Sequence, residues 1–167
     1  IVFNTGVVHG YSTAIRILSN IDDEVIVPVP AYGPFVRKVN ANKRRVITTP
    51  LKSFKDNFRI DFDDLENKIT DKTKIFVLCN PRNPTGRVYT QEELAALVEV
   101  LKNHLNIFVI ADEVYSALVY GIRHVSLASF VEIANRLILV NGVSKMYAMT
   151  GYRIGWMACH NNEIVCA

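Results

Sequence analysis

The sequence predicts an α/β layered domain, and three observations carry that prediction. Short apolar runs, such as Lys-Ile-Phe-Val-Leu-Cys at 74–79, have the length and character of buried strands. Longer stretches place apolar residues at helical spacing, as at Leu94, Leu97, Val98 and Leu101. The two kinds alternate along the chain instead of segregating, which is the element order of a layered α/β fold.

Taken in order, Ile1 to Phe3 is a candidate strand, and Asn4-Thr5-Gly6 turns it into a helical stretch from Val7 to Asn20. In that stretch Val8, Ala14, Ile15 and Leu18 can share one face. Glu24 to Pro28 reads as a strand that stops at its prolines. A helix is expected over Tyr32 to Asn40 and a strand over Arg45 to Thr49. Asp61 to Ile69 reads as a short helix with its acidic residues near the positive end. The strand at 74–79 runs into the turn-rich Asn80-Pro81-Arg82-Asn83-Pro84-Thr85-Gly86. Thr90 caps the next helix, with Glu93 three residues on as a capping box. Strands are expected at Ile107 to Ala111, Leu137 to Val140 and Ile154 to Ala158, and a helix begins near Asn162.

Composition excludes several classes. With 167 residues there is room for one domain, and 50% hydrophobic against 21% charged residues is the reverse of a disordered chain. No apolar run approaches the roughly 20 residues that cross a bilayer, so no membrane partner is expected. Nineteen basic against 16 acidic residues give a mild +3 without a long block, which argues against nucleic acid. Cys79, Cys159 and Cys166 form no C-x-x-C pair and read as inert packing residues; a reducing, cytoplasmic compartment is expected. His9, His104, His124 and His160 are scattered without metal-ligand spacing, so no metal site is expected. The opening on Ile1-Val2-Phe3 inside a strand, and the close where a helix is starting, lead us to expect a fragment.

Three polar residues follow buried strands: Asn83, Asp112 and Lys145. In open α/β sheets ligands collect outside the carboxyl ends of the strands, so a small-molecule site is expected there. No G-x-G-x-x-G follows the first strand, which removes a nicotinamide-binding reading.

Four blocks then carry a resemblance: Cys79-Asn80-Pro81-Arg82-Asn83-Pro84-Thr85-Gly86, Ala111-Asp112-Glu113-Val114-Tyr115, Ser144-Lys145, and Met149-Thr150-Gly151-Tyr152-Arg153-Ile154-Gly155-Trp156. Each is weak alone; their order, with 29 residues from Asn83 to Asp112, 33 on to Lys145 and 8 more to Arg153, is specific. Together they resemble the class I/II aminotransferases, fold type I enzymes that use pyridoxal 5'-phosphate. The resemblance implies a three-layer α/β/α fold with a mostly parallel sheet. It also implies that residues 1–167 are the central part of the large, cofactor-binding domain, without its N-terminal segment and the C-terminal small domain. Amino acids and 2-keto acids would be the substrates, and the full-length protein a homodimer.

Carried over from that family, Lys145 is the catalytic residue that forms the Schiff base with the cofactor and moves the substrate's α-proton. A lysine in a desolvated pocket near other cations loses its charge readily. Asp112 matches the carboxylate that pairs with the pyridine nitrogen. Tyr115 and Asn83 match the donors to the phenolic oxygen, and Asn83 also the contact to the substrate carboxylate. Val7 and Val8, at a strand-to-helix turn, and Arg153 are the phosphate candidates. Tyr32 sits where relatives stack an aromatic on the pyridine, and Ser144 is a further cofactor contact. Read without the resemblance, Lys145 is a surface lysine, Asp112 a helix cap and Asn83 a turn former beside Pro84. Tyr115 is then a core aromatic, and Tyr32 an aromatic at the start of a helix.

Two departures stand out. Many relatives carry Ser or Thr three residues before the lysine; here the residue is Gly142, as in a subgroup near bacterial aspartate aminotransferases. The stretch Gly6-Val7-Val8-His9-Gly10-Tyr11-Ser12-Thr13-Ala14-Ile15 is bulkier than the usual small-residue turn and, with Leu118-Val119-Tyr120, resembles the cystathionine β-lyase-like carbon–sulfur lyase branch. The expected activity is therefore amino-acid transamination. The alternatives are a carbon–sulfur β-lyase acting on cysteine conjugates, or a non-catalytic homologue.

Overall fold

The computed structural model describes residues 1–54 and 57–166. The chain begins with β1 (Val2–Asn4), α1 (Val7–Leu18), β2 (Glu24–Val29), α2 (Gly33–Ala41) and β3 (Arg45–Pro50). A small hairpin of β4 (Lys52–Phe54) and β5 (Asn57–Arg59) follows, then α3 (Phe62–Lys68), β6 (Thr73–Cys79), α4 (Gln91–Lys102) and β7 (Phe108–Asp112). After two 3-10 turns at Leu127–Ser129 and Val131–Arg136 come β8 (Leu137–Gly142), α5 (Val143–Met146), a 3-10 turn at Thr150–Tyr152, β9 (Gly155–Ala158) and α6 (Asn162–Cys166). Ala167, at the end of the helix expected there, lies outside the described residues.

Every helix and strand expected from periodicity is present, with ends shifted by a residue or two. α1 stops at Leu18 because Ser19 turns extended and its hydroxyl donates back to the Ile15 carbonyl at 2.6 Å. Asp61 caps α3 by accepting from the Asp64 N–H, and the Thr90–Glu93 capping box of α4 is formed from both sides. β2 differs from expectation by running through Pro28 to Val29. It pairs with β6 only as far as Ile26, so the N–H that Pro28 lacks has no strand to meet on that side. The Pro28 and Pro30 carbonyls instead accept from Nη2 of the buried Arg82, at 3.0 and 2.7 Å. The hairpin and the 3-10 turns were not legible from periodicity, being too short to show one.

Seven strands form one sheet in the order β1-β9-β8-β7-β6-β2-β3. β2, β3, β6, β7 and β8 pair in parallel, while β9 runs antiparallel to both β8 and β1. The side chains of β6 alternate between two cores. Ile75, Val77 and Cys79 pack with Tyr11, Ile15 and Val39 of α1 and α2, while Phe76 and Leu78 pack with Leu65 of α3 and Leu94, Leu97 and Leu101 of α4. The result is a three-layer α/β/α arrangement around a mostly parallel sheet, covered on both faces as its apolar strands require. Among the described residues no helix is long and apolar enough to cross a membrane.

Candidate active site

The carboxyl ends of β1, β2, β6, β7 and β8 open on one edge of the sheet. The reversed β9 brings its beginning to that same edge. A cleft of about 120 Å³, partly open to solvent, lies there. All nine residues singled out from the sequence line it. Val7 and Val8 come from the start of α1, Tyr32 from the cap of α2 and Asn83 from the turn after β6. Asp112 and Tyr115 come from the end of β7, Ser144 and Lys145 from α5, and Arg153 from the approach to β9. Cys79, Val114 and Thr150 line it too and were not assigned to it. Cys79 is the packing residue expected of it, buried in the core beneath α1 and α2, and its pairing in register with Asp112 also puts it at the floor of the cleft.

Asp112 is 4% exposed, and burial pushes its carboxyl up to about 7 from a reference of 3.8, with Glu113 adding to the rise. The Val114 N–H, which donates to Oδ1 at 3.1 Å, and the Lys145 charge act in the opposite direction. No protein donor reaches the second oxygen among the described residues. The site therefore holds a buried carboxylate whose charged form lacks a close cationic partner. Glu113, its neighbour along the strand, points to the other face. It accepts from Ser126 Oγ and the Leu127 N–H at 2.9 and 3.0 Å and lies 3.1 Å from His124 Nε2. Strand alternation thus separates two adjacent acids, one facing the cleft and the other pinning a loop.

Asn83 Nδ2 donates to the Tyr115 hydroxyl at 3.2 Å, and burial raises the pKa of that phenol. The Lys145 ammonium lies 5.9 Å from the centroid of the Tyr115 ring, within cation–π range. Lys145 itself is exposed, in contrast to the desolvated pocket expected for it. Tyr32 meets Phe35 edge-on, with centroids 5.7 Å apart, and Phe35 in turn packs on Tyr11 at 5.1 Å.

The other corner of the cleft is built by glycines. Gly6 has φ 83°, a conformation that disfavours a side chain, and a Cβ there would run into the Arg153 guanidinium. A Cβ on Gly155 would lie 2.8 Å from both the Gly6 carbonyl carbon and the Val7 nitrogen. One on Gly142 would lie 2.8 Å from the Ile154 carbonyl oxygen. The absence of a hydroxyl at 142 is thus a packing requirement of this chain: β8, β9 and the first turn touch backbone to backbone. The Val7 and Val8 N–H groups have no acceptor among the described residues, as expected at a helix start. Arg153, which has no carboxylate within 4 Å among the described residues, is held against that positive helix end. Arg153 and Ala148 both have left-handed backbones, φ 54° and 53°, a conformation that costs about 1–2 kcal/mol per residue.

The fold recurs in known proteins. The family model for aminotransferase class I and II matches residues 1–167. The chain belongs to this family. An aspartate aminotransferase of Bacillus subtilis (strain 168) is 39% identical over 161 residues, 95% of this chain and 40% of the relative. Cystalysin from Treponema denticola, in a structure that contains a pyridoxal 5'-phosphate cofactor, superposes with TM-score 0.94 at 27% identity, covering 98% of this chain and 42% of that one. N-succinyldiaminopimelate aminotransferase from Mycobacterium tuberculosis superposes with TM-score 0.92 at 33% identity, covering 98% and 42%. The chain thus spans about two fifths of the length of these curated relatives.

Proposed function

We propose that the full-length protein is an amino-acid aminotransferase that uses pyridoxal 5'-phosphate to move an amino group from an amino acid to a 2-keto acid. Residues 1–167 are, on this reading, the central part of its cofactor-binding large domain. The full-length protein works as a cytoplasmic homodimer. The observation that carries the reading is one cleft that holds, among the described residues, both a buried carboxylate with no ion-pair partner and an arginine beside helix-start amides with no carboxylate within 4 Å. A ligand with a protonated ring nitrogen at one end and a phosphate at the other answers both needs, so the residues fit this cofactor.

Bound there, the cofactor supplies an aldehyde for the amino group and a pyridine ring that takes up electrons from the substrate's α-carbon. The open Asp112 oxygen accepts from the ring nitrogen and keeps it protonated. The Val7 and Val8 N–H groups and the Arg153 guanidinium hold the phosphate, with Ser144 as a further contact. Tyr115 and Asn83 would donate to the phenolic oxygen, Asn83 would also bind the substrate carboxylate, and Tyr32 would pack against the ring. Lys145 Nζ holds the cofactor and carries the proton removed from the substrate's α-carbon. The test is transfer from amino donors to 2-oxoglutarate by the full-length protein, with and without Lys145→Ala. Transfer by the parent and at least a thousandfold loss in the variant are expected, on the order of a general base and nucleophile lost together. Equal rates would overturn the assignment of Lys145.

A second reading is favoured by the high superposition on cystalysin and by the bulky first turn. On it the same cleft expels a sulfur leaving group from the β-carbon, giving a thiol, pyruvate and ammonia. Pyruvate released from cystathionine, with no half-transamination of amino donors, would replace the first reading with this one.

A further inference from the structure

The segment between Lys145 and Arg153 is short and strained. It leaves α5 through Tyr147, crosses Ala148 at φ 53°, makes one 3-10 turn and enters Arg153 at φ 54°. Two left-handed non-glycine residues in six positions do not hold themselves. Backbone bonds brace each end. At one end Tyr147 N–H donates to the Val143 carbonyl and Ala148 N–H to the Lys145 carbonyl; at the other, Tyr152 N–H donates to the Met149 carbonyl. Between these braces one side-chain bond spans the gap: Thr150 Oγ1 donates to the Ser144 carbonyl at 3.1 Å. The carbonyl of the same residue accepts from Arg153 Nη1 at 2.9 Å. Thr150 thus touches both halves of the site, the residue before Lys145 through its hydroxyl and the Arg153 guanidinium through its backbone.

We propose that Thr150 is a positioning residue that locks the strained Arg153 turn to the segment carrying Lys145, so that the guanidinium and the free amides of Val7 and Val8 can donate to the same phosphate. The Ser144 carbonyl would otherwise face water or nothing, and the turn would be free to carry Arg153 away from Gly6. The inference rests on the proposed reading of the cleft, because it needs a phosphate at that corner.

The discriminating experiment compares pyridoxal 5'-phosphate with pyridoxal, which lacks the phosphate, on the cofactor-free full-length protein. Thr150→Val keeps the shape and removes the hydroxyl; Thr150→Ser keeps the hydroxyl. Loss of one hydrogen bond predicts that Thr150→Val binds pyridoxal 5'-phosphate roughly threefold to tenfold more weakly. Pyridoxal affinity should change by less than about half of that factor, because the loss acts through the phosphate corner. Thr150→Ser should restore parental affinity, and the melting temperature of the cofactor-free variants should stay near the parent's. Parental affinity in Thr150→Val overturns the proposal, as does equal weakening for the two probes. If the parent itself binds both probes equally, the phosphate corner is wrong and the proposed function fails first.

Discussion

Replacing Asp112 by Asn tests the electrostatics of the cleft in the absence of any ligand. The two side chains have the same shape, and the Asn oxygen keeps the bond from the Val114 N–H. In the folded protein the Asp112 carboxyl keeps its proton up to about pH 7; unfolded, it loses it near 3.8. Between those values the folded state binds more protons than the unfolded one, so stability is lost as pH rises through the window and is level outside it. A shift of about three units at 1.36 kcal/mol per unit amounts to about 4 kcal/mol of burden on the native state above pH 7. Asp112→Asn removes that burden. Denaturant unfolding of the cofactor-free full-length protein at pH 5 and pH 8 should show the variant gaining on the parent by about 3 kcal/mol between the two. With cofactor added the order reverses, because the carboxylate then has its cation and the amide does not. A gap between variant and parent that is the same at both pH values would refute the reasoning, for it would mean that Asp112 is ionised and solvated throughout.

Three further outcomes follow from the contacts. Gly155→Ala places a methyl 2.8 Å from the backbone of Gly6 and Val7; a loss of roughly 1–3 kcal/mol in stability and weaker cofactor binding are expected by melting and titration. Glu113→Ala leaves Ser126 Oγ and the Leu127 N–H without their acceptor. It should cost roughly 3 kcal/mol on unfolding, while the affinity for cofactor, measured by titration, stays within twofold (about 0.4 kcal/mol). Phe35→Leu removes the ring that meets Tyr32 edge-on, a contact of about 1 kcal/mol, and should weaken cofactor binding roughly fivefold. Val39→Ala, in the same helix and core, should lower the melting temperature without that weakening.

The residues that a sequence reader can place are those at the ends of long apolar runs. Asp112 and Asn83 follow strands recognisable from their own composition, and that alone puts them on the same edge once the sheet is parallel. Lys145 and Arg153 were found through blocks of sequence, since α5 and the 3-10 turn have no periodicity to read. What stayed hidden depends on register and backbone approach. Cys79 faces the cleft because β6 and β7 align Cys79 with Asp112, a fact of pairing that neither strand contains. Gly142 reads in the sequence as a missing hydroxyl, whereas in the fold the Ile154 carbonyl takes the space a side chain would need. Thr150 stood in plain view within a recognised block, but the reach of its hydroxyl to Ser144 is set by two left-handed residues whose conformation no propensity foretells.

The pairing of β1 with β9 has a consequence for how the molecule is assembled. Val2 lies beside Met157, so nearly the entire described chain forms the loop that this contact closes. Such a contact comes at high entropic cost and raises the contact order of the fold, which slows folding. The corner made by Gly6 and Arg153 exists only after that closure, whereas the Asp112 wall forms from neighbouring parallel strands. An anion bound at the corner would therefore act as a clasp between the two ends of the described chain, and its stabilisation would scale with its concentration by mass action. Refolding in the presence of the anion should then differ from refolding without it chiefly in the step in which β1 meets β9.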